Sequence, residues 1–122
     1  GSSFTYAIRN DGTLWAWGLN SAYQLGLNND SIARSSPVQI GSNSNWTSVS
    51  AGLSHGAAIN SSNQLWTFGA VTPINNSSPV QITAGTGSFS QVSAGQSYTL
   101  ARDINGILYA WGQDTSGQLG YF

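Results

Sequence analysis

The groups able to do chemistry in this chain are few. There is one imidazole, His55, with four carboxylates, Asp11, Asp30, Asp103 and Asp114, and three guanidinium groups, Arg9, Arg34 and Arg102. Lys, Glu and Cys are absent. A nucleophile triad needs a base beside its hydroxyl or thiol, and His55 is the sole imidazole to supply one. The chain fills the matching positions elsewhere with Phe4 and Tyr98, so His55 reads as a packing or hydrogen-bonding residue. A metal centre needs several converging ligands, and the four Asp are spread along the sequence. Asp11 and Asp103 stand beside turns, where a carboxylate caps local backbone N–H groups. "GTGSFSQ" from Gly85 resembles a phosphate loop only superficially, since it precedes a strand and carries no Lys. No catalytic residue, metal ligand or cofactor is expected.

Charge removes further classes. Net charge is -1, and three scattered Arg cannot form the patch that neutralises phosphates, so neither nucleic acid nor an anionic membrane is an expected partner. No apolar run approaches the roughly 18 residues of a membrane-spanning helix. Without Cys there is no disulfide framework. Five Trp, five Tyr and four Phe supply a core, each burying on the order of 150–250 Å². Gly, Ser, Asn and Thr suit strands and turns, and the chain reads as all-β.

The elements that hold these residues repeat. "SVSAGLSHGAA" from Ser48 returns as "QVSAGQSYTLA" from Gln91. "LWAWG" from Leu14 returns as "LWTFG" from Leu65 and "LYAWG" from Leu108. "SSPVQI" from Ser35 returns from Ser77, and "YQLG" from Tyr23 as "GQLG" from Gly117. Gly18, Gly69 and Gly112 close successive copies, 51 and 43 residues apart. Each repeat contains four short strand-like runs: one like "WTSVSA", one like "TYAIR", then after a tight turn such as Asn10-Asp11-Gly12 one like "LWAWG", and "PVQI" with its Pro at the start. Four strands per period of ~40–50 residues is the arithmetic of a β-propeller blade. "LWAW" is apolar at successive positions, so it wants cover on both faces, which stacked blades provide. A sandwich would alternate.

In order, "VSAG…SH", "DGTLWAWGLN", "GQLG" and "SSPVQI" resemble the repeats of the regulator of chromosome condensation family over essentially the whole chain. The resemblance implies a seven-bladed propeller. That family includes an exchange factor, ubiquitin ligase subunits, an ultraviolet receptor and a β-lactamase inhibitor, so the shared fold does not choose a function. The receptor's Gly-Trp-Arg-His-Thr element corresponds to Gly52-Leu53-Ser54-His55-Gly56 here, without its Trp and Arg. The charged surfaces of an exchange factor are likewise missing.

The expected architecture is therefore an all-β β-propeller segment of four-stranded antiparallel blades, an incomplete ring in one chain. Its units are a partial first repeat over 1–41, a second over 42–83 and a partial third over 84–122. Seven such blades need roughly 300–350 residues, and the sequence is expected to be a piece of a longer propeller chain or a protein completed by another chain. The periodic Trp15, Trp17, Trp66 and Trp111 read as core, as does Trp46, which aligns with Phe89. The weak binding candidates are residues that escape the repeat: Tyr23, Asn29, Asp30 and Arg34, on a loop shortened in the second copy. The functional expectation is a non-enzymatic scaffold or protein-interaction module, with partners being remaining blades or neighbouring subunits. The uncharged Asn- and Ser-rich composition points to an extracellular, cell-surface or virion setting. The alternatives are a carbohydrate-binding propeller with glycan partners and a GTPase regulator.

Overall fold

The structure, a computed structural model, describes residues 3–28, 30–71 and 74–112. Among the described residues ten strands form three antiparallel sheets. The first sheet holds β1 (Phe4–Ile8), β2 (Leu14–Gly18) and β3 (Arg34–Gln39). The second holds β4 (Trp46–Ala51), β5 (His55–Asn60), β6 (Leu65–Val71) and β7 (Ile74–Ile82). The third holds β8 (Phe89–Ala94), β9 (Tyr98–Asp103) and β10 (Leu108–Gly112). Neighbours in sequence are neighbours in each sheet, as in a propeller blade.

The hairpins are set by their turn residues. Gly12, Asn63 and Gly106 hold equivalent places with φ of 83°, 61° and 85°. Asn is the residue that tolerates this left-handed conformation best after Gly. One expectation needs correction. Pro37 and Pro79 lie inside β3 and β7, not at their starts. Both are edge strands, where a missing N–H is tolerated. The register of each against its neighbour also shifts, between Ala16 and Gly18 and between Thr67 and Gly69.

The sheets stack face to face and bury two cores. Between the first and second lie Phe4, Leu14, Ala16, Ile40, Trp46, Ala58 and Phe68. Between the second and third lie Ala57, Ile59, Leu65, Phe89 and Ala101. Every residue of β5 is buried, because both of its faces are covered. Trp46 N–H donates to Gly12 O at 3.0 Å and Phe89 N–H to Asn63 O at 2.7 Å. The first strands of the second and third sheets, β4 and β8, are thereby each tied to the preceding sheet's hairpin.

Candidate interaction surface

The loop carrying the binding candidates is anchored from within. Asn20 is fully buried; its Oδ1 accepts from Leu25 N–H at 2.9 Å, and its Nδ2 donates to Ile32 O at 3.3 Å and to Asp30 O. Leu25 fills the first core, while Gly26 lies against Ile40 and Phe68. The Tyr6 hydroxyl donates to Gln24 O, and burial pushes that phenol far above its ordinary range. This loop is thus partly interior, although a surface insertion is what its sequence predicts.

Its outer part carries the predicted residues. Tyr23 is half-buried with φ of 59°. Asn29 lies outside the described residues. Asp30 and Arg34 form a salt bridge, and Asp30 Oδ1 also accepts from Ile32 N–H at 2.8 Å. The Arg34 guanidinium holds the Asp30 carboxyl below the usual carboxylate range, with the Ile32 N–H assisting. Exposed Ile32 stands between them. The structure thus brings Asp30 and Arg34 together and commits each to the other.

The larger feature is the pair of outward faces. On β2, Leu14 and Ala16 point into the first core, so Trp15 and Trp17 point the other way. They line an open groove of about 320 Å³ with Ala7, Arg9 and Pro37. The Arg9 guanidinium sits 5.4 Å from the Trp15 ring centroid, a cation–π distance. The equivalent Trp66 and Phe68, and Tyr109 and Trp111, pack instead against a neighbouring sheet. At the other end Leu108 is 77% exposed and Leu100 41%, whereas the equivalent Leu14 and Leu65 are fully buried.

Arg9 is a site residue that reasoning from sequence misses. Its equivalents are Asn60 and Asp103, which clip their hairpins: Asn60 Oδ1 accepts from Ser62 and Gln64 N–H, and Asp103 Oδ1 from Asn105 and Ile107 N–H. In the first sheet Asp11 takes that task, accepting from Thr13 N–H at 3.1 Å. Arg9 is released to lie over Trp15. The signal was available as a departure from the repeat beside a displaced Asp.

Covered faces also match in polarity. His55 Nε2 and Thr99 Oγ1 lie 3.0 Å apart across the second and third sheets, both buried. One interface back the equivalents are Phe4 and Gly56. Gly56 has no room for a side chain there, since an added Cβ would lie 2.5 Å from the Tyr6 ring.

Stacked antiparallel sheets, one of four strands between two of three in the described residues, tied hairpin to strand, define blades of a β-propeller. Residues 11–59 match the family model described as Regulator of chromosome condensation (RCC1) repeat, and residues 89–118 match a second model of the same description. The chain belongs to the regulator of chromosome condensation repeat family. It is 32% identical to the human probable E3 ubiquitin-protein ligase HERC3, covering 98% of this chain and 12% of that protein. It is 30% identical to the Arabidopsis thaliana ultraviolet-B receptor UVR8, covering 98% of this chain and 30% of the receptor. Among solved structures it is similar to Prp20p from Saccharomyces cerevisiae, with a TM-score of 0.83, 22% identity, and coverage of 97% of this chain and 33% of that one. The chain thus spans a third or less of each of these proteins.

Proposed function

We propose that this chain acts as a non-enzymatic protein-interaction module whose end faces dock further blades or partner proteins. The observation that carries this is Leu108, 77% exposed at a position where Leu14 and Leu65 are fully buried. A bare leucine in an otherwise covered repeat position marks a surface that association buries. Tyr23, Asp30 and Arg34 are proposed as a secondary contact, on a loop fixed by Asn20 and shortened in the second copy. The yeast Prp20p is described by its binding to Gsp1p and histones. With three Arg and four Asp, docking by this chain rests mainly on apolar faces, and salt weakens it without abolishing it. The relatives named above include no virion or cell-surface protein.

A carbohydrate reading has one observation in its favour. The groove of Ala7, Arg9, Trp15, Trp17 and Pro37 adjoins Asn10 and Asp11, so ring faces and polar groups stand together. One experiment separates the two. A photo-crosslinking aromatic residue replaces Trp17, and the adducts formed in the native cells are identified by mass spectrometry. Protein adducts that persist at high salt are expected. Glycan adducts alone, or none, would contradict the proposal.

A further inference from the structure

The two free faces are the two halves of one stacking interface, yet an arginine stands on each. Across the second and third sheets, β5 and β9 run level: His55 meets Thr99, and Ala57 and Ala101 share one core. Two residues on, the same spacing sets Ile59 level with Asp103. Across the first and second sheets it sets Ile8 level with Asn60. On that spacing an aliphatic residue and an Asn or Asp share this level at each covered interface. On the free faces, Arg102 replaces Ile8 and Ile59, and Arg9 replaces Asn60 and Asp103. Both arginines are exposed.

Head-to-tail stacking of two copies would set Tyr98 against Thr5, Leu100 against Ala7, and Arg102 against Arg9. The hydroxyl pair and the apolar pair are compatible. Two guanidinium groups pressed together out of water are not, because like-charge juxtaposition is strongly unfavourable at an interface. Opposite Arg102, a carboxylate would instead gain a charge-assisted, bidentate contact sheltered by Leu100 and Leu108.

From this charge pattern we infer that the third sheet's free face docks a blade presenting a carboxylate opposite Arg102, and that it rejects a second copy of this chain. The inference rests on the reading of the free faces as docking surfaces. The acid would hold the place that Asp103 holds on the covered side of the same sheet.

The chain itself supplies the probe. Arg9→Asp puts an acid on the Trp15–Trp17 face at the level of Arg102, so this variant stands in for the inferred blade. Arg102→Asp creates the same pairing from the other side, and the double variant restores like charge. Both positions are exposed, and circular dichroism checks that each variant folds. Sedimentation velocity over a concentration series, at low and high salt, yields the association constants. Each single variant is expected to self-associate roughly tenfold more tightly than the native chain. The double variant should match the native chain, and salt should weaken association of the single variants. Measurable association that is equal in all four proteins overturns the charge rule and leaves the docking reading standing. No association in any of the four, at any soluble concentration, overturns both.

Discussion

His55 on β5 and Thr99 on β9, 44 residues apart, close a hydrogen bond of 3.0 Å between two blades. Neither reaches solvent. This is the repeat's one imidazole turned into a clasp, with the polarity of one blade written to match the next.

Thr99→Val should therefore leave the buried His55 Nε2 without a partner. An unpaired buried polar group costs about 1–3 kcal/mol. Urea unfolding is expected to show a loss in that range, while Thr5→Val, on an exposed residue at the equivalent position, changes little.

Acid should loosen the same interface. Burial holds the His55 imidazole below its ordinary 6.5, opposed more weakly by a backbone contact at Tyr98. As pH falls, the unfolded chain takes up the proton first, so stability rises with pH in this window. Stability is expected to be full above pH 6.5 and to fall progressively below it. Thermal unfolding of the native chain and of His55→Gln between pH 7.5 and 5 tests this; the variant should lack that part of the slope.

Gly69→Ala should be poorly tolerated. Gly69 has φ of 91°, and an added Cβ would lie 2.6 Å from Ser54 O, the carbonyl that accepts from Ala70 N–H. The backbone conformation alone costs about 1–3 kcal/mol for a non-glycine residue. A lowered urea midpoint is expected, by more than for Gly41→Ala, which shares a left-handed φ of 64° but where an added Cβ meets nothing within 4 Å.

The loop offers a contrast between its interior and its rim. Asn20→Ala removes, from a fully buried side chain, the acceptor of Leu25 N–H and the donor to Ile32 O. A loss of about 1–3 kcal/mol is expected, with faster hydrogen exchange at the Leu25 amide. Arg34→Ala breaks a partly exposed ion pair at the rim and should shift the unfolding midpoint little, since solvent-screened pairs add little.

That contrast shows what the residues revealed and what they hid. The repeated "LWAWG", "VSAG" and turn dipeptides located the strands and hairpins, because the strand period and left-handed turns leave local marks. Blade stacking was legible in "LWAW", whose successive apolar residues demanded cover on both faces. The inward role of Asn20 and Gln24 was not, because polar side chains in a loop look solvated until a fold buries them. The place of Pro37 within β3 was missed because an edge strand excuses a proline that a central strand would reject. Arg9 escaped notice because its release depends on Asp11 taking over the hairpin clip, a relationship between copies.

Three leucines at one repeat position test most directly whether the outer blade face is free. Urea unfolding of Leu14→Ala, Leu65→Ala and Leu108→Ala compares them in the isolated chain. The first two fill covered cores and should each lose about 2–5 kcal/mol. Leu108→Ala should stay within about 0.5 kcal/mol of the native chain. A loss at Leu108 as large as that at Leu65 would mean the third blade's outer face is already covered, and would contradict the docking surface.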